Sequence, residues 1–369
     1  MPIIQTGEGE TDAIRMSELA PMPDDGASRD NRGGRPLRAG LFADAHAAAS
    51  LAAALKRAAE IELTGVAGPA RGAAPEAVAW YDDCRVMIAR ERLDILLVAD
   101  SPLAGISVCD AALDVGVHVW RQPPLGRGFA EAIEVARRIQ NAGGHYHIAS
   151  WWEHVRDAIL KVWRSVGEEA PVFSEVQISI DGPPLNSWRS SLVDAGGGVL
   201  INDAYDAVEG LCAMRGAPES VYGTIGKCRD RASATPRETE DMASVILKYD
   251  DGGAAHIRAL WDCPPAINRT HHYGPESGVS YDGDSVTSLN SADRPNEAAP
   301  LPSDLLDAQI RTLIRDITTK PDSGADESSV ERHLTASAVL EAAYLSAKTG
   351  QPEDPRRLFE ARKWPMEAS

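Results

Sequence analysis

The run Asn202-Asp203-Ala204-Tyr205-Asp206 gathers an amide, two carboxylates and a phenol into a short stretch. A carboxylate beside a substrate hydroxyl can take its proton, so Asp203 and Asp206, with Tyr205 between them, are candidates for an acid–base role. An ordinary Asp near pKa ~3.9 accepts a proton but seldom holds one at neutral pH. Two carboxylates without His or Cys partners make a poor metal set, so no metal is expected, and capping or solvation is the plainer role for Asp203 and Asp206. Trp151-Trp152-Glu153-His154 offers aromatic surface for stacking on a sugar ring, or for packing between domains. Arg121, Arg189 and Asn202 are the candidates for holding an anionic or hydroxylated ligand. The histidines His118, His145, His147, His154, His256, His271 and His272 fall on expected strands and loops, where structural or surface roles are expected.

The chain must bring these groups together, and the stretch Val117-His118-Val119-Trp120-Arg121-Gln122-Pro123-Pro124 shows how. Its β-branched start reads as a buried strand, and two prolines end it because neither donates to a ladder. A helix follows from Phe129, with Phe129, Ile133, Ala136 and Ile139 on one face. In a doubly wound sheet, ligands sit where strand ends meet helix starts. The expected pocket residues are therefore Trp120, Arg121, Gln122, Trp151, Trp152 and Arg189.

Further strands are expected at Leu37–Ala43, Ile61–Gly68, Leu93–Ala99 and Tyr146–Ser150, with helices at about Ala45–Glu60, Asp83–Glu91 and Ile106–Val115. This alternation argues for a parallel α/β sheet. After about residue 170, Val176, Ile178 and Ile180 alternate with polar residues, the period of a sheet with one wet face. Val245–Tyr249 and Ala255–Trp261 flank the turn Asp250-Asp251-Gly252-Gly253 as a hairpin. Helices at Leu305–Thr318 and Val330–Thr349 close the chain, with a loop at Lys320–Asp326. The fold class is α/β plus α+β: a parallel sheet followed by a mostly antiparallel one. The expected parts are a flexible, polar arm (1–34), a parallel-sheet domain (35–150) and an α+β domain (151–369).

With these elements in place, the chain resembles the Gfo/Idh/MocA family (glucose–fructose oxidoreductase, inositol dehydrogenase, rhizopine catabolism). The likeness rests on the strand, Pro124-Leu125 and helix; on Trp188-Arg189 followed by Gly196-Gly197-Gly198-Val199-Leu200; on the hairpin; and on Tyr273-Gly274-Pro275-Glu276-Ser277-Gly278 and Leu340–Gly350. It implies a Rossmann-like N-terminal domain, an open-sheet second domain whose broad face makes subunit contacts, a pocket between them, and NAD(P).

The residues depart from that pattern where chemistry would occur. The family's Gly-x-Gly-x-x-Gly becomes Ala43, Ala45 and Ala48, and Asp44 places a carboxylate at the helix start, where it caps the helix or repels phosphate. Gly68 stands where a charged side chain would read the ribose, and Asp100 lies on the nicotinamide side. NAD(P) binding is therefore expected to be weak or absent. The family's lysine position holds Pro123, and its Asp and His, four apart, are Asn202 and Asp206. A one-residue shift supplies Asp203 but then Ala207 in place of the histidine.

A net charge of −18 spread along 369 residues argues against nucleic acid and anionic membrane as partners. The five cysteines (Cys84, Cys109, Cys212, Cys228 and Cys263) are widely spaced, no apolar run spans a bilayer, and the start lacks a signal's pattern, so a cytoplasmic protein is expected. The favoured expectation is a diverged member without standard dehydrogenase activity: a ligand-binding protein or a partner of an active homologue, in a homo-oligomer (dimer or tetramer) or hetero-oligomer. The alternatives are an active NAD(P)-dependent oxidoreductase on a sugar or polyol, with Asp206 or Tyr205 carrying the proton, and a non-redox lyase, isomerase or hydrolase.

Overall fold

A computed structural model describes residues 35–68, 78–142, 145–150, 152–167, 170–227, 237–289, 298–299, 301–319, 327–362 and 364. The N-terminal arm, Trp151, Cys228 and the 320–326 loop lie outside the described residues. In chain order, the first lobe runs β1 (Leu37–Ala43), α1 (Ala45–Arg57), β2 (Ile61–Ala67), β3 (Ala79–Tyr81), α2 (Cys84–Glu91), β4 (Ile95–Ala99), α3 (Pro102–Leu113), β5 (His118–Arg121), α4 (Phe129–Asn141) and β6 (Tyr146–Ile148). Helix α5 (Glu153–Val166) leads to β7 (Phe173–Ile180), a 3-10 turn at Trp188–Ser190, α6 (Leu192–Ala195), α7 (Val199–Asp203) and α8 (Tyr205–Arg215). Then come β8 (Ser220–Gly226), β9 (Met242–Lys248), β10 (Ala254–Trp261), β11 (Ile267–Tyr273), β12 (Gly278–Tyr281), β13 (Val286–Leu289), β14 (Ala298–Ala299), α9 (Leu305–Thr319), α10 (Glu327–Thr349) and α11 (Arg356–Arg362).

The first sheet has the order β3-β2-β1-β4-β5-β6, all parallel. Its central strand β4 is apolar throughout because both faces are covered. Ile95, Leu97 and Ala99 pack with α1 and α9, while Leu96 and Val98 pack with α2, α3 and α4. Each such side chain contributes on the order of 2 kcal/mol by burial. Helix α3 begins four residues before the position expected from periodicity, because Ser101 caps it and Pro102 fits its first turn. Helix α1 stops at Arg57, short of the expected Glu60, where Ala58 turns extended.

The second sheet has the order β14-β13-β12-β11-β7-β10-β9-β8. It is antiparallel except where β7 pairs with β10. Ala255, Ile257, Ala259 and Trp261 of β10 point into the core beneath α8 and α10, as their period of two requires. The C-terminal helices also reach the first lobe. Leu306, Ile310 and Leu313 of α9 join the α1 cluster, and the Phe359 ring of α11 meets Phe129 edge-on at 4.8 Å. The described residues from Pro36 onward form one compact unit. Among the described residues no helix is long and apolar enough to cross a membrane.

Candidate functional site

The carboxyl ends of β1, β4, β5 and β6 face the segment from Trp188 to Asp206, and two side-chain hydrogen bonds join the two sides. At one, the Trp188 indole Nε1–H donates to Asp44 Oδ2 at 2.9 Å. At the other, the Ser150 hydroxyl donates to Asp206 Oδ1 at 2.7 Å.

The facing segment is held by its glycines and by one buried carboxylate. Gly196 ends α6 at φ 81, a left-handed conformation that favours glycine. A methyl on Gly197 would strike the Tyr344 hydroxyl, and one on Gly198 the Glu240 backbone. Glu240 accepts from the Gly198 amide (2.6 Å), the Leu200 amide (3.2 Å) and the Tyr344 hydroxyl (2.8 Å), and so seats the start of α7.

Asp206 lies just beyond, partly buried. Desolvation pushes its carboxyl from 3.8 up to about 7, opposed by the Ser150 hydroxyl and reinforced by Glu209 and Asp203. The ordinary acidity expected from sequence is thus corrected: this carboxyl both holds and releases a proton near neutrality. Ser150 in turn accepts from the Trp152 amide at 3.2 Å, and its carbonyl takes the Gln309 side-chain amide. Asp203 accepts from the Trp261 indole at 2.7 Å and faces Arg189 at 3.9 Å. Burial raises its pKa too. The Asn202 amide nitrogen is spent on the Gly197 and Gly198 carbonyls, at 3.0 and 2.9 Å.

Four polar atoms along this seam are buried without a hydrogen-bond partner among the described residues: Asp100 Oδ2, Gln122 Nε2, Asn202 Oδ1 and Arg189 Nε. Unmade bonds of this kind are costly unless something else makes them. Asp100 gives its other oxygen to the Ser101 amide at 2.6 Å, and desolvation lifts it to about 6.

Other expected site residues stand elsewhere. Trp120, 2% exposed, packs into the α1–α9 core and not into a pocket. Arg121, 3% exposed, is buried with Tyr146 and Cys109 under α3, because its strand position turns it to the sheet's other face. The Tyr205 hydroxyl is taken by His333 on α10, and burial raises its pKa far beyond a useful range, which removes it as a proton carrier. Trp152 meets Tyr281 edge-on at 5.1 Å, a packing role. Sequence alone points to neither of the two side chains that bridge the sides: Trp188 stands out only as part of a motif, and Ser150 carries no local signal.

The positions that would hold a nicotinamide dinucleotide, the group the fold implies, are otherwise occupied. Asp44 caps α1: its Oδ1 accepts from the His46 amide (3.0 Å) and the Ala47 amide (2.9 Å), donors a pyrophosphate would need. Ala43 and Ala48 are fully buried, and Ala45 is exposed at the first helical position. Gly68 has φ 110 and presents no side chain to a ribose. The residues present do not fit a nicotinamide dinucleotide. Among the described residues no group of three or more His, Cys, Asp or Glu is placed to hold a metal.

Residues 170–279 match the GFO/IDH/MocA C-terminal domain. The chain is 24% identical over 306 residues to a D-apiose dehydrogenase of Paraburkholderia graminis, covering 75% of this chain and 77% of that one. The chain thus carries a GFO/IDH/MocA C-terminal domain and is similar over most of its length to a protein of dehydrogenase name. Solved structures of this fold include an aldose-aldose oxidoreductase from Caulobacter crescentus complexed with glycerol, at TM-score 0.71 and 19% identity over 87% of this chain and 100% of that chain. A levoglucosan dehydrogenase in complex with NADH and levoglucosan matches at TM-score 0.73 and 15% identity over 87% and 99%. In architecture the chain is like the oxidoreductases that share this fold.

Proposed function

We propose that this protein binds a sugar, polyol or derivative at the seam between β6 and α8 and moves a proton at one of its hydroxyls through Asp206, without the dinucleotide seat of its dehydrogenase relatives. One observation carries this reading: a partly exposed carboxyl, tied to the opposing lobe by Ser150 and poised at about 7. The unpartnered Gln122 and Asn202 atoms suit a ligand rich in hydroxyls, which both donate and accept. The test is a calorimetric panel of aldoses and polyols against wild type and Asp206→Asn. Saturable binding by wild type whose pH dependence near 7 is lost in the variant supports it; no binding across the panel counts against it.

A second reading, an active NAD(P)-dependent oxidoreductase, is favoured by the likeness to a D-apiose dehydrogenase over three quarters of the chain. Nicotinamide absorbance in the purified protein would favour it over the first. For assembly we propose a homo-oligomer through the outer face of the second sheet, where Tyr222 lies across from Ile246, and Phe173 across from Tyr273, all exposed. Light scattering that returns a monomer would remove that proposal.

A further inference from the structure

The switch point of the first sheet lies at β1, flanked by β2 and β4, and the helix that leaves it is the natural seat for an anion. That seat is already filled. The Asp44 carboxylate accepts three donors, two amides of α1 and the indole of Trp188, so neither of its oxygens lacks a bond. The indole comes from the opposing segment, so the same carboxylate joins the strand end to the second lobe. Asp100 and Asp194 lie close enough to act on one another electrostatically, and Asp44 acts on Asp100 in the same way.

We infer that Asp44 is an internal stand-in for phosphate that, latched by Trp188, closes the dinucleotide seat and leaves the seam to ligands without a phosphate. An incoming pyrophosphate must expel a triply bonded carboxylate and then stand among the remaining acidic groups, where like charges at short range repel. Arg189 does not offset this, because it lies over the Trp188 ring, 5.3 Å from its centroid, and faces Asp203. The missing glycines agree with it: a chain that seats no phosphate has no need of bare backbone at Ala43 and Ala45.

The experiment titrates NADH and NADPH separately into the full chain by calorimetry, using wild type, Asp44→Gly, Asp44→Asn and Trp188→Phe. Wild type is expected to show no saturable binding up to millimolar cofactor. Asp44→Gly should tighten binding at least about tenfold, and Trp188→Phe by less. Asp44→Asn keeps an α1 cap while removing the charge, so it answers the question if the glycine variant does not fold. Micromolar binding by wild type overturns the inference, as does a failure of both folded Asp44 variants to gain affinity. The readout is cofactor binding alone, so its failure is separate from any failure of Asp206 as the proton carrier.

Discussion

Asp44 and Asp206 stand at opposite ends of one seam, each tied across it by a single side chain, yet they are built for different work. Asp44 takes three hydrogen bonds, and its lone pairs are spent on structure. Asp206 takes one, from Ser150, and desolvation leaves its proton loosely poised at about 7. The contrast teaches what a carboxylate's surroundings decide: at Asp44 three donors spend the lone pairs on structure, while at Asp206 desolvation, opposed by one donor, sets the acidity.

Asp206→Asn breaks the comparison at its reactive end. If the second reading holds and NAD(P)-linked oxidation of a sugar is found, turnover should fall by about 10²–10⁴, the usual contribution of a general acid–base; under the first, binding near neutral pH should lose its pH dependence. The same variant has a stability signature. Between the unfolded value of 3.8 and the folded value of about 7, the native state binds more protons than the unfolded chain, so stability falls as pH rises through that window and then levels. Asp100, at about 6, slopes the same way. Urea melts at several pH values should show the Asp206 part of this slope, no more than about 2 kcal/mol for a partly exposed group, missing from the variant.

Gly198→Ala disturbs the wall that carries Asp206. Its methyl meets the Glu240 backbone, which cannot swing aside as a side chain would. A loss of about 3 kcal/mol in urea unfolding is expected; a loss under about 0.5 kcal/mol would mean that α7 is less tightly seated than its contacts indicate. At the structural end, Trp188→Phe keeps the ring but not the donor to Asp44. It should cost about 1 kcal/mol at this partly exposed site and leave Asp206 chemistry unchanged. The smallest effect belongs to Ser150→Ala, which removes the hydroxyl that favours the charged form of Asp206. The apparent pKa in a pH–rate profile should move up by about half to one unit; a downward move would show that Ser150 does not tune this group.

Much of the fold could be read from local pattern. The apolar run within Leu93–Ala99 suits a strand covered on both sides, and the period-two run at Val176–Ile180 a half-wet one; both are strands. The edge strand β3 was not recognised, since three residues, none of them buried, carry no periodicity. Trp120 and Arg121 looked like pocket residues because they end the organising strand, but alternation along β5 turns one into each core. Tyr205 looked reactive by its neighbours, and its partner His333 lies more than a hundred residues away.

Residue types and spacing alone determined the two sheets, the family likeness and the cap at Asp44, because propensity, periodicity and side-chain chemistry are local properties. Only the tertiary structure decided that Trp188 latches Asp44, that Ser150 meets Asp206 and that Asp206 titrates near neutrality. Those outcomes depend on desolvation and on donors delivered from remote segments, and neither is written in any short stretch of chain.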